Sequence, residues 1–392
     1  MAGGPLMPAK GGVSCFVAFL AAFPAVTPLA RAANRRPPQT GDGPFVRACD
    51  AFGSGYIAIP GTSSCLSING YVWYQVGASN DRGGIASGFA QDHNYYPRGG
   101  WINDSRGAVT FDLRTPSEWG VLQGQIRLID DFSNELSWST PPGGGGWLGA
   151  DQAWFKAGGF LAGYTESAWT ATQANWISSW GSHSWNGLWY GYQQRELVQY
   201  SFGTDKGTFG TVSLEAGTGE ASSYVPDMVA VFGYQRRWGA VWAKAGYDRA
   251  IRKGGPSGYS ISIGAQLALG GPGSSLRLLG FYSDSDNAYG TSGPYHGSGV
   301  NGAGDGSAEW SFLMSYRYQM TPAVAVSAGG QYFVNFYKAR SNQKTGLDGY
   351  SLEGTAVWYP FSDIEIRSEI EYDKVDGLDG SFGGFLRFTR FF

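Results

Sequence analysis

The sequence predicts an all-β fold, a transmembrane antiparallel β-barrel of about 16 strands, and three observations predict it. The first is composition. The chain has 62 glycines, and 16% of its residues are aromatic, but only 15% are charged, where a soluble domain carries about 25%. Its mean hydropathy is nevertheless slightly negative, too polar for a bundle of membrane helices. A barrel with a greasy outside and a wet inside reconciles the two, because its faces cancel in any average. The second is a period of two in segments of roughly ten residues. The third is a strict alternation of long and short connections.

The first 32 residues are set apart as a signal peptide. Lys10 supplies the basic start, Val13 to Leu29 is apolar but broken by Pro24 and Pro28, and Ala30-Arg31-Ala32 fits a cleavage site. Removing it leaves 26 basic against 31 acidic residues, a net charge of −5, which does not suggest nucleic acid as a partner. Residues 33–65 form a periplasmic N-terminal segment, and 66–392 the barrel. Cys49 and Cys65 are an even pair in an exported chain, for which a disulfide is the default. A metal site would need further ligands, and His93, His183 and His296 lie far away in sequence.

Strands are expected at 66–76, 108–115, 120–130, 150–158, 159–166, 195–202, 207–215 and 228–236. A second eight follow at 238–250, 258–269, 274–283, 308–319, 323–337, 350–359, 364–373 and 382–392. In the tenth of these, Tyr259, Ile261, Ile263 and Leu267 share one face while Ser260, Ser262 and Gln266 share the other. In the fifteenth, Ile364, Ile366, Ile370 and Tyr372 oppose Glu365, Arg367, Glu369, Glu371 and Asp373. Five charges on one face must meet water, since a dry core would penalise them heavily. Odd-numbered connections are long and even-numbered ones short, the asymmetry of bacterial outer-membrane barrels. An even strand number places both barrel ends on the short-turn side. Aromatics at Tyr71, Trp73 and Tyr74, and at Tyr316, Tyr318, Trp358 and Tyr359, are candidates for interfacial girdles.

The chain closes on an alternating aromatic strand ending in Phe392, the signal that the barrel assembly machinery reads. Cys49-Asp50-Ala51-Phe52-Gly53-Ser54-Gly55-Tyr56, Ile59-Pro60-Gly61-Thr62 and Cys65-Leu66-Ser67-Ile68-Asn69-Gly70-Tyr71-Val72 closely resemble the opening of the alphaproteobacterial, rhizobial-type general porins. The resemblance extends more weakly to Phe392. It implies a trimeric outer-membrane porin: a passive, water-filled diffusion channel for small hydrophilic solutes and ions, embedded in outer-membrane lipids. In that family the third long loop folds into the lumen. Here it spans Ser167 to Gln194 and carries Trp169, Trp176, Trp180, Trp185, Trp189 and Tyr190, with acids only at its borders, Glu166 and Glu196. The acidic loop usual in such constrictions is therefore missing.

Alternation nominates Asp112, Arg114, Arg127, Lys156, Arg367 and Glu369 as pore-lining, joined by Glu166, Trp169, Trp176 and Trp180 at the constriction. Each basic residue is either a selectivity charge or a solvated wall charge paired with a neighbour such as Glu353, Glu365 or Glu369. Exposed tryptophans would favour a carbohydrate-selective channel, because aromatic faces stack on sugar rings; tryptophans packed on the wall would not. A barrel enzyme or adhesin is the remaining alternative. Catalysis has little support, as no histidine sits beside a serine on a strand face. No cofactor or metal is implied: Asp284-x-Asp286 opens like a calcium loop, but Tyr289 and Tyr295 stand where glycine and glutamate are needed.

Overall fold

The computed structural model describes residues 47–80, 100–118, 120–133, 148–171, 181–185, 187–203, 207–217, 225–251, 256–294 and 306–392. The proposed signal peptide lies outside them. A 3-10 turn at Asp50–Phe52 leads to β1 (Tyr56–Ala58), which pairs with the start of β2 (Cys65–Ser79). Then come β3 (Gly100–Ser117), β4 (Gly120–Ser133), β5 (Gly149–Ala157), β6 (Phe160–Glu166), β7 (Gln194–Gly203), β8 (Thr208–Glu215) and β9 (Asp227–Arg236). They are followed by β10 (Gly239–Asp248), β11 (Gly258–Ala268), β12 (Ser275–Ser283), β13 (Ala308–Thr321), β14 (Val324–Phe336), β15 (Gly349–Phe361), β16 (Ile364–Val375) and β17 (Ser381–Phe391).

Each of the 16 strands β2–β17 pairs antiparallel with its sequence neighbours, and β17 pairs with β2 from Gly383↔Ser79 to Phe391↔Tyr71. Phe392 extends this seam by exchanging both backbone hydrogen bonds with Gly70, each at 3.0 Å. Closure is what lipid demands, because an open edge would leave unpaired amides in hydrocarbon at several kcal/mol each. The ring is thus an all-β barrel whose strands coincide with those expected from alternation to within a few residues, except that β3 begins eight residues earlier, at Gly100.

The two faces separate as the alternation requires. Ile68, Val72, Phe155, Phe232, Ile263, Phe312, Leu352 and Phe388 point outward and are exposed, whereas Gln75, Gln152, Ser262, Ser315, Ser351 and Asp373 are enclosed by the barrel. Outward rings meet in rows at the long-loop ends of the strands: Tyr259, Tyr282 and Trp310, with centroids 6.0 and 4.6 Å apart, and Tyr350, Tyr372 and Phe382, at 6.0 and 4.5 Å. These rows form the girdle at that rim. Tyr74, Tyr316, Tyr318 and Trp358 also lie on the outer face, but Tyr71, Trp73 and Tyr359 have inward parity. Trp73 is buried under Arg387, and Tyr359 turns inward to donate a 2.6 Å hydrogen bond to Glu365. Inward parity overrides their aromatic preference for the interface.

Candidate pore and constriction loop

The connection between β6 and β7 does not stay at the rim. Its described parts, 167–171, 181–185 and 187–193, fold into the lumen and are held by one strand after another around the far side of the barrel. At the entry, Ser167 Oγ and the Ala168 amide donate to Glu215 of β8, at 2.7 and 3.0 Å, and Tyr289 donates to the same carboxylate. Lys244 of β10 donates to the carbonyl oxygens of Trp169, Thr170 and Ala171 at 2.6, 3.3 and 3.4 Å. Arg277 of β12 donates to the Ser182 carbonyl at 2.8 Å.

Farther round, His183 is clamped between Ser315 on β13 and Ser275 on β12, each hydroxyl 2.8 Å from one ring nitrogen. A neutral imidazole suits this clamp, donating from one nitrogen and accepting at the other. Burial, with Arg277 and Arg317 alongside, pushes this imidazole down to about 3. Ser184 donates to Glu353 of β15, and the Trp185 amide to Glu369 of β16 at 2.6 Å. Gln331 of β14 brackets Trp189, accepting from its amide at 2.9 Å and donating to its carbonyl at 2.8 Å. Last, Arg387 of β17 sits 4.3 Å over the Trp185 ring, with Trp73 and Phe385 at 4.5 and 4.7 Å.

The wall beneath the loop is apolar, which the lumen of a wet barrel should not be. Phe209, Val229, Val231, Ala240, Trp242, Leu279, Phe281 and Leu313 all face inward and pack against Trp169, Leu188 and Tyr190. Two of these platform aromatics lie across glycines of the next strand. Phe209 is registered with Gly233 and Trp242 with Gly264, where an added Cβ would come closer than 3.0 Å to the Phe209 and Trp242 rings. Glycine is therefore needed at 233 and 264 to let the rings lie flat as a platform. Trp189 fills a second cluster with Phe333, Phe336, Val375 and Leu378.

Trp169 and Trp189 are each 2% exposed. Trp169, nominated for the constriction, packs its ring on the wall, edge-on to Tyr289 at 5.8 Å. Trp176 and Trp180 lie outside the described residues. Glu369 serves as a loop anchor, and Arg367 is buried between Glu365 and Glu369 at 2.8 and 3.0 Å.

On the opposite side of the interior, β2–β7, several inward charges are met by one another, while Arg195 of β7 donates to Gln193 of the loop at 2.9 Å. Asp112 is a hub, accepting from Arg114 at 3.1 Å, Gln123 at 3.0 Å and Tyr56 at 3.1 Å. Arg114 also lies 5.2 Å over the Tyr56 ring, so the segment ahead of the barrel reaches into the short-turn mouth. Arg106 pairs with Asp131 at 2.6 Å and Arg127 with Asp151, which sits at a β-bulge between β4 and β5. Arg127, Lys156 and Glu166 line a cavity of about 310 Å³ together with Gln152, Gln199 and Ala171 at the loop's base. Near the same mouth, Cys49 and Cys65 are joined in a disulfide with Cα atoms 6.1 Å apart.

Comparison with known proteins agrees with this architecture. A model of the Porin subfamily matches residues 42–382. Porin Omp2a of Brucella melitensis is 24% identical over 383 residues, covering 89% of this chain and 90% of that protein; porin Omp2b of Brucella suis is likewise 24% identical over 387 residues, with the same coverage. Among solved structures, the outer membrane channel DcaP of Acinetobacter baumannii superposes with a TM-score of 0.60 at 15% identity, covering 84% of this chain and 98% of that one. On the strength of the family match over nearly its whole barrel, the chain belongs to the porin family, as an outer-membrane channel and not a catalyst.

Proposed function

We propose that small hydrophilic solutes and ions cross by passive diffusion along the β2–β7 side of the barrel, between that wall and the inward loop. The observation that carries this reading is the unequal use of the interior. The loop is tied to β8 and to β10 through β17 except β11, and the cavity at its base opens on β4–β7. Three arginines of that wall are paired with neighbouring acids, Arg106 with Asp131, Arg114 with Asp112 and Arg127 with Asp151. Paired charges line a pore with water and little net field, which suits a general channel over a strongly selective one. Planar-bilayer recording of the reconstituted protein tests this. Stepwise openings that scale with bulk conductivity are expected, and absence of any conductance would overturn it.

A homotrimer is supported by the height of the wall. The outer apolar band of such barrels is about 25 Å tall and a strand needs about 9–11 residues to cross it. β6 has 7 residues and β8 has 8, yet their neighbourhood presents Phe160, Tyr200, Phe202, Val212 and Leu214 outward. A wall too low for the bilayer is completed by protein, and a second and third copy supply it. Phe392, exposed at the β17–β2 seam, is placed to be read by the barrel assembly machinery before closure.

A further inference from the structure

Behind the loop, on the side away from the proposed path, lies a cavity of about 580 Å³. Five arginines line it: Arg236 at the end of β9, Arg237 from the β9–β10 turn, Arg277 from β12, Arg317 from β13 and Arg367 from β16. No carboxylate is among its lining residues. It opens at the short-turn end, which in these barrels faces the periplasm, since it also touches Gly273 and Ser274 in the β11–β12 turn.

The five cations are not equally satisfied. Arg367 is held by Glu365 and Glu369, and Arg277 by Gln266 at 2.9 Å and the loop carbonyls. Arg236 has outward parity on β9 and its guanidinium lies 4.7 Å over the Tyr234 ring, so it adds little charge to the chamber. Arg317 donates to Gln319 at 2.9 Å, and its Nε–H is buried with no acceptor among the described residues. Guanidinium groups keep their charge at any physiological pH and present a planar fork that fits an oxyanion in a bidentate way. Like charges around a concave, low-dielectric space raise the local anion concentration and repel one another until an anion arrives. Ser274 and Ser275 add hydroxyl groups to the same lining, although Ser275 is engaged with His183.

We propose that this vestibule is a binding site for a small multivalent oxyanion of the inorganic phosphate class, facing the periplasmic mouth. The charged wall is then divided in function: a weakly selective passage along β2–β7, and an anion-holding chamber under β9–β13 and β16. The conductance readout of this proposal rests on the channel reading above, so the primary test does not use current.

Calorimetric titration of inorganic phosphate into the purified, detergent-solubilised oligomer in chloride-free buffer is expected to show saturable binding. The variant R237Q/R317Q, which leaves the loop anchors untouched, should weaken it at least about tenfold. R114Q on the opposite wall should leave it unchanged. A native β-rich circular dichroism spectrum shows that the variants are folded. Phosphate heat absent from the native protein, or equal in native and R237Q/R317Q, overturns the proposal. In bilayers, phosphate added at the periplasmic mouth should reduce chloride current in the native channel but not in R237Q/R317Q. A protein that binds phosphate but conducts nothing would overturn the channel reading and leave the site standing.

Discussion

Arg127 on β4 and Arg277 on β12 project inward from strands of one closed sheet, and a sequence pattern treats them alike. Arg127 pairs with Asp151 on the neighbouring strand and lines an open cavity. Arg277 is 2% exposed and donates to carbonyl oxygens of a loop that crosses from the other side. The difference is made by what stands opposite. On the β2–β7 side a charge meets water and a neighbouring acid, and its value lies in the field it projects. On the β8–β17 side Lys244, Arg277, Glu215, Glu353, Glu369 and Arg387 are fasteners, each satisfied by loop backbone, a loop hydroxyl or a loop ring. One half of the interior therefore governs permeation and the other governs where the constriction sits.

The largest effect should come from removing a fastener. Lys244→Met leaves the carbonyls of Trp169, Thr170 and Ala171 without their shared buried donor, and each buried acceptor left unsatisfied costs about 1–3 kcal/mol. Single-channel traces of this variant should become noisy with larger openings, and limited proteolysis should cut within 167–194. Quiet native-size openings would mean that the loop is held elsewhere. Trp169→Ala should cost about 3 kcal/mol through the cavity it leaves in the apolar platform, read as a lower temperature for thermal unfolding of the barrel followed by circular dichroism. Gln125→Ala on the open wall should not move that temperature.

A smaller effect is tied to pH. His183 is held neutral, with its folded value pushed down to about 3 by burial beside Arg277 and Arg317, whereas a free histidine titrates near 6.5. Because the released loop binds the proton more readily, docking is fully favourable above about pH 6.5 and weakens as pH falls, by about 2 kcal/mol at pH 5. The groups facing the ring are Ser275, Ser315, Arg277 and Arg317, with Glu353 reached through Ser184. Current noise should therefore rise between pH 7 and pH 5 in the native channel, and H183Q, which keeps a donor and an acceptor, should remove most of that rise. An unchanged acid response in H183Q would detach the loop from this clamp. The smallest structural effect belongs to R114Q/R127Q, which should shift the reversal potential in a salt gradient toward cation preference, more at low salt than at high, with thermal stability unchanged.

Much of the barrel was legible because alternation is a local property. Residues 364–373, with five charges opposing four apolar side chains, fix β16 without reference to anything distant. The eight extra residues at the start of β3 were missed because Trp101-Ile102-Asn103-Asp104-Ser105-Arg106-Gly107 carries polar and glycine residues on both faces, the marks of a loop. The site was legible only by half. Parity identified which charges face inward, but a loop docking over a long sequence separation decides which of them reach water.

One signal of that docking was present in β9 and β10. Val229, Val231, Ala240 and Trp242 make the inward face apolar as well as the outward one, where Met228, Ala230, Phe232 and Val241 lie. A strand greasy on both faces in a barrel of this kind needs a cover on its inner side. With Gly233 and Gly264 opposite aromatics, it marks the landing place of the loop.

The most direct test of a divided interior is the reaction of a single introduced thiol in the lumen with a charged, water-soluble methanethiosulfonate, followed by channel current in a C49S/C65S background. Gln125→Cys on β4 should react within seconds and lower the conductance, because that face lines the proposed path. Ser311→Cys on β13, 0% exposed in the docked arrangement, should react far more slowly unless Lys244→Met is also present. Equal rates at the two positions, with no acceleration by Lys244→Met, would contradict the division.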